Sequence, residues 1–252
     1  MKLSDLVSHL DSELRTAEIA DYSNALNGLQ IENQSGQVTK IVAAVDATLP
    51  VMRKAVAVGA DLLIVHHGMF WSGLQRWTGP VYQKLKGCME GGLAVYSAHL
   101  PLDVHPVLGN NAQIAKALGL VPSGGFLEYK GSHVGVTAEH AMPLDALVSK
   151  FKAALGGSAV HVCGAGPKTT RKIGISSGGS GSEVAAADAV GIDTFITGEG
   201  PHWSYTLAEE LGINVLYGGH YATETFGVKA LASHVEAKFG IPWEFVDHPT
   251  GM

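Results

Sequence analysis

Apolar positions follow two periods along this chain, and the two alternate. Residues 41–46 (Ile41-Val42-Ala43-Ala44-Val45-Asp46), 62–65 and 93–98 are predominantly apolar runs, as expected of strands covered on both faces. Residues 49–58 and 81–90 between them carry helical spacing. So do residues 1–16, where Leu3, Leu6, Val7, Leu10 and Leu14 mark one face among Asp5, Asp11 and Glu13. Asn110-Asn111 is placed to cap a further helix running to residue 118, so the first half reads as doubly wound α/β. Residues 121–131, with Pro122, Ser123, Gly124 and Gly125, break the pattern. They divide the chain into domains 1–125 and 126–252. Strands near 134–137, 159–162, 173–176, 194–197 and 215–217 then alternate with helices near 144–155, 183–190, 205–211 and 221–239. The expectation is two α/β domains, with segment 215–252 packing back on the first.

Composition narrows the function classes. With 46% hydrophobic and 16% charged residues, the 252-residue chain is a compact globular protein. A net charge of -6 and no Lys/Arg block argue against a dedicated nucleic-acid binder. No run reaches the ~20 apolar residues that span a bilayer, and the first residues have no signal-peptide core, so a cytoplasmic protein is expected. Cys88 and Cys163 lack thiolate-site spacing and read as free thiols.

Candidate chemistry gathers at predicted strand ends, where open α/β sheets collect ligands. The 62–65 run ends in His66-His67-Gly68; neighbouring strand residues face opposite ways, so convergence of the two imidazoles is expected only if the chain leaves the sheet there. The 93–98 run leads to His99 and Asp103, and Asp103 is preferred to His105 in the same loop. Along the last long helix the stripe Val228, Leu231, Val235 and Phe239 extends backwards to Glu224 and His220, placing both inward; a buried carboxylate calls for a partner or a cation. Three imidazoles and two carboxylates suit two divalent ions of the Zn, Mn, Fe or Ni kind, with His99 or Tyr221 near enough in sequence to assist catalysis. Asn27-Gly28 reads as a turn. The 177–182 stretch (Ser177-Gly178-Gly179-Ser180-Gly181-Ser182) reads either as a phosphate cradle or as a tight connection. Glu199 reads as a helix-start acid and His202 as uncommitted; His9, His133, His140, His161, His234 and His248 read as surface or packing residues.

Val65-His66-His67-Gly68, Ser97-Ala98-His99-Leu100-Pro101-Leu102-Asp103 and Gly219-His220-Tyr221-Ala222-Thr223-Glu224 together resemble the Nif-three-like family, whose members are often named GTP cyclohydrolase I type 2 homologues. Asn27-Gly28-Leu29-Gln30, Val45-Asp46-Ala47-Thr48 and Thr197-Gly198-Glu199 add to the likeness, which spans nearly the whole chain. It implies two interlinked α/β domains with a dinuclear metal site in the cleft, and a hexameric ring. The implied ligands are His66, His67, Asp103, His220 and a bridging Glu224. The chain departs from the family in lacking room for the extra domain of longer members, and in carrying His202-Trp203 where many have paired histidines. The implied activity is metal-dependent hydrolysis of a nucleotide or phosphorylated small molecule. A phosphoesterase and a non-enzymatic metal-binding regulatory or scaffold protein are the alternatives.

Overall fold

The computed structural model describes residues 1–73 and 75–252; Leu74, which falls in sequence between Trp71 and Trp77, lies outside the described residues. In chain order the first elements are α1 (Leu3–Leu14), β1 (Gly28–Ile31), β2 (Ile41–Asp46), α2 (Leu49–Ala57), β3 (Leu62–His67), α3 (Gly79–Gly91) and β4 (Ala94–Ser97). There follow α4 (Leu100–Asp103), α5 (Asn110–Leu118), β5 (Gly124–Tyr129), β6 (Ser132–Pro143), α6 (Leu144–Ala154), β7 (His161–Gly164) and β8 (Thr169–Ser176). A 3-10 turn (Ser180–Glu183) precedes α7 (Val184–Ala189), β9 (Thr194–Thr197), α8 (His202–Leu211), β10 (Asn214–Tyr217), α9 (His220–Phe239) and β11 (Trp243–Phe245).

Two compact units result: Met1–Leu102 with Gly227–His248, and Asp103–Phe226 with Pro249–Met252. The division thus falls at residue 102, not at 125. The reason is α5, whose Ile114, Ala115 and Leu118 are buried with Leu147 and Phe151 of α6 in the second unit's core. The segment after residue 226 belongs to the first unit, where Trp243 to Phe245 pair in parallel with Ile41 to Ala43, while β10 stays with the second.

The first unit holds a sheet of order β1-β4-β3-β2-β11, parallel except for β1 at its edge. Every residue of β3 and β4 is buried, which explains why these strands read as predominantly apolar runs. The side chains of Val42, Leu63, Val65 and Val95 pack with Val51, Met52 and Ala55 of α2 and Cys88 of α3. Thr48 caps α2 by accepting from the Val51 N–H at 3.4 Å, and Pro50 occupies a first-turn position where its missing donor costs nothing.

The second unit holds a mixed sheet of order β5-β6-β8-β9-β10-β7, with β8, β9 and β10 parallel. α5 and α6 cover Ile173, Ile175, Ile196 and Leu216; α7 and α8 pack with Phe126, Phe195 and Val215. The stretch expected to be a domain boundary is instead the β5–β6 hairpin. Its turn places Lys130 at φ 47° and Gly131 at φ 87°, the two positive values that a two-residue hairpin turn requires. In both units the parallel strands end beside the candidate site residues.

Candidate metal centre

In the first unit, β3 pairs with β2 as far as Asp46 opposite His67, so both histidines lie within the strand and the chain does not leave the sheet between them. Their ring centroids are nevertheless 4.9 Å apart, and the His99 ring, just past β4, lies 4.8 Å from His66 and 5.7 Å from His67. Each of the three brings a ring nitrogen within 4.8 Å of the others. All three are buried. Each Nδ1 meets an oxygen at 2.9 Å: His66 the Ala98 carbonyl, His67 the Asp46 carboxylate, His99 the Asp21 carboxylate. An oxygen there places the proton on Nδ1 and the lone pair on Nε2, the arrangement that metal-binding imidazoles require.

The 27–30 segment does more than turn. Asn27 accepts the His99 N–H at 2.8 Å and donates to Asp21 at 2.8 Å, so it fixes both members of that pair. Gln30 accepts the Met69 N–H at 2.7 Å, and its side chain occupies the space that a Cβ on residue 68 would fill. Gly68 is therefore needed for this close approach. Burial alone would raise the Asp21 carboxyl, but hydrogen bonds and charge from His99, with help from Asn27 and the Tyr22 N–H, hold it below its ordinary value. Trp71 lies 4.8 Å from the His67 ring and 4.5 Å from that of His99, an aromatic wall against the pair.

In the second unit, His220 and Glu224 sit one turn apart at the start of α9, with Nε2 and Oε1 separated by 3.1 Å. Glu224 is buried, as the helical stripe requires. The other ring nitrogen, Nδ1, meets Glu199 Oε1 at 2.9 Å. Burial alone would lower His220, but Glu224 and then Glu199 outweigh it, and the imidazole is pushed up to about 9. Two donors 3.1 Å apart lie close to the ~3.3 Å that separates two tetrahedral ligands on one ion, so this pair has the spacing of a cation site. Asp103 ends α4 and is buried; its Oδ1 accepts from Asn110 at 2.8 Å and from the Ser177 hydroxyl at 3.4 Å. Asn110 and Asn111 do not cap α5, whose cap position is Gly109. Their side chains are buried because they orient Asp103 and, through Asn111 Oδ1, the Ser177 N–H at 2.8 Å.

In the loop after β8, three of the N–H groups that a phosphate cradle would use are already bonded within the unit, as in a tight connection. Its N–H groups at Ser177, Gly178 and Gly181 donate to Asn111, Thr223 and the Glu199 carbonyl, respectively. Its glycines serve close packing: Gly178 has φ +65°, and a Cβ there would collide with the Glu224 carboxylate and lie 3.4 Å from His220 Nε2. Tyr221 is buried beside His220 in sequence, its N–H bonded to the Met252 carbonyl at 2.9 Å. A cavity of about 560 Å³ is lined by Glu199, His202, Tyr205, Tyr217 and His161, among others. The structure brings His66 and His67 together in the first unit and His220 and Glu224 together in the second, it holds Asp103 against Asn110 and Ser177, and it adds Asp21 and Glu199 as histidine partners that spacing along the chain did not reveal.

Comparison with known proteins adds an independent line. The sequence signature of the family described as Duf34/NIF3 (NGG1p interacting factor 3) matches residues 1–250. A Deinococcus radiodurans protein named "GTP cyclohydrolase 1 type 2 homolog" is 40% identical over 250 residues, covering 98% of this chain and 94% of its own. The solved structure of protein ybgI, described as of unknown function, superposes with TM-score 0.92 at 35% identity over the full length of both chains. TTHA1606 from Thermus thermophilus gives TM-score 0.87 at 39% identity, also over both full lengths.

Proposed function

Because the chain belongs to the Duf34/NIF3 family, we propose that it is a dinuclear metal-dependent hydrolase of a nucleotide or other phosphorylated small molecule, with GTP as the first substrate to test. His66, His67, Asp103, His220 and Glu224 are the proposed ligands. The observation that carries the reading is the set of oxygens behind the histidines. Ala98, Asp46 and Asp21 hold Nδ1 of His66, His67 and His99, which leaves Nε2 of each ring as the atom for a metal or a proton, while Glu199 holds Nδ1 of His220, whose Nε2 would take a metal on losing the proton it directs at Glu224.

Bound divalent ions of the Zn, Mn, Fe or Ni kind would supply an activated water and a polarised bond in the substrate. The chain's own residues do the rest. His66 and His67 act as neutral donors on a rigid strand, and Asp103 and Glu224 bring negative charge. His99 takes up or releases a proton at Nε2, and the Asp21 carboxylate stabilises the imidazolium as it forms. Tyr221 is the second candidate for proton handling. The cavity of about 560 Å³ beside Glu199 falls in the range of small-molecule sites, and its tyrosines and histidines suit a planar heterocycle.

The test is turnover by protein reconstituted in turn with Zn, Mn, Fe and Ni. Formate release from GTP supports cyclohydrolase chemistry, phosphate release supports a phosphoesterase, and no turnover across a nucleotide panel with two ions bound would leave a metal-binding scaffold as the better reading. The same proposal includes a cytoplasmic homo-hexamer. No helix among the described residues is long and apolar enough to cross a membrane. Trp77, 63% exposed, is the kind of aromatic that subunit interfaces cover. Sedimentation equilibrium at micromolar protein checks the assembly; a monomer would refute it.

A further inference from the structure

Outside the family's motifs, two histidines that read as unrelated packing residues meet within the first unit. His9 and Glu13 are four apart on α1 and share a face of that helix; His234 lies on the part of α9 that belongs to the same unit. His9 Nε2 and His234 Nε2 are 3.0 Å apart, and His234 Nε2 is 3.9 Å from Glu13 Oε2. One donor atom from each residue falls within 4.8 Å of the other two. The imidazole planes are 16° from parallel, with centroids 5.3 Å apart, and the edge of His9 packs on Phe239 at 5.0 Å.

We propose that His9, Glu13 and His234 form a separate binding site for one divalent transition-metal ion of the zinc, nickel or copper class, which fastens α1 to α9. Tetrahedral ligands on one such ion lie about 3.3–3.5 Å from one another, and the observed separations of 3.0 and 3.9 Å bracket that range. Two imidazoles and one carboxylate select a borderline ion over Mg or Ca. All three side chains are half-buried, so the rings are held by packing while solvent reaches the remaining coordination position.

The metal-free arrangement is compatible with this use. Lys238, one turn beyond His234, lies with Nζ 3.4 Å from His9 Nδ1. An ammonium only donates, so His9 accepts at Nδ1, carries its proton on Nε2 and donates it to His234. Burial, with Lys238 and His234, holds His9 below its ordinary value against the opposing charge of Glu13, so the ring is neutral at pH 7. Entry of the ion shifts the His9 proton from Nε2 to Nδ1 and turns the Lys238 ammonium away; no proton is lost overall. Lys238 therefore opposes binding, both as a hydrogen-bond donor and as a positive charge.

That opposition gives the test two arms of opposite sign. With zinc chloride as the probe, equilibrium dialysis should show one equivalent per chain fewer in His9→Gln/His234→Gln than in the wild type. Lys238→Met keeps every ligand and should bind that equivalent roughly tenfold more tightly. Anomalous diffraction from zinc-soaked crystals should place a peak between the two Nε2 atoms. Glu224→Gln, which touches the other donor set, should leave this equivalent in place, so failure here and failure of the proposed dinuclear centre are distinguishable. Equal stoichiometry in the wild type and the double variant, an affinity unmoved by Lys238→Met, or zinc-soaked crystals with no peak at His9 would each overturn the proposal.

Discussion

The two donor sets are built differently. His66, His67 and His99 come from strand ends, and each is held at Nδ1 by one oxygen. His220 comes from a helix start and is gripped at both nitrogens by carboxylates, Glu199 on one side and Glu224 on the other. The first set is a rigid group of nitrogen donors fixed by sheet register. The second carries the charge, so under the proposed function proton and metal would compete for His220. A change in the second set should therefore alter occupancy, whereas a change behind the first should alter affinity more gradually.

The largest effect is expected from Glu224→Gln. The amide keeps the volume beside Gly178 but removes the buried charge and a strong donor, so at least one ion should be lost and any turnover should fall by orders of magnitude. Val228, Leu231 and Val235 still pack, and circular dichroism should be unchanged. Retention of both ions and wild-type turnover would remove Glu224 from the centre. Next comes Gly178→Ala, which places a side chain at φ +65° and against the Glu224 carboxylate. It should destabilise the protein by about 1–3 kcal/mol from backbone strain alone. It should also displace Glu224, so denaturant unfolding and metal content are expected to fall together; a stable, fully loaded variant would show that the loop relaxes freely.

Much of this was legible in the sequence, for identifiable reasons. Helical periodicity carried from Val228 back to Glu224 predicts its burial because the period is a property of the local backbone. The run ending at His67 predicts a buried strand end in the same way. What periodicity cannot convey is partnership across the sheet. Asp46 faces His67 through the register of β2 and β3, 21 residues apart in sequence, and Asp21 reaches His99 across 78 residues. Glu199 looked like a helix-start acid because the register of β9 with β10, which carries it toward His220, is set by tertiary pairing. The misplaced domain boundary has a similar origin. Pro122 to Gly125 does interrupt the local pattern, but α5 buries its apolar face with α6, which follows that interruption in sequence.

Asp46→Asn probes the first set more gently. The amide still occupies the space next to His67 Nδ1 but can present its NH2 group there, which weakens control of the tautomer. Metal affinity should fall ~10–100-fold while the fold and the maximum stoichiometry persist. Competition against a chromogenic chelator measures this directly, and an unchanged Kd would mean that packing alone orients His67.

The subtlest difference between the sets should appear as a pH dependence of the metal-free protein. In that state His220 is pushed up to about 9, above the ~6.5 of an unfolded histidine. A group whose folded value is raised stabilises the protein fully below pH 6.5, progressively less between 6.5 and 9, and not at all above that window. Chelator-treated protein should therefore lose stability to denaturant as pH rises through this range, with a contribution from His220 of less than about one proton, or at most ~1.4 kcal/mol per pH unit. Glu199→Gln removes one of the two carboxylates that raise His220 and should make the slope shallower; wild type and variant are compared because other groups titrate alongside. The same proton must leave when a metal takes Nε2, so calorimetry at pH 7.5 in buffers of different ionisation enthalpy should report close to one proton released per chain from this set. Parallel stability slopes for wild type and Glu199→Gln, together with metal uptake that releases no proton, would show that His220 is neutral before the metal arrives and that the contrast between the two sets is geometric rather than electrostatic.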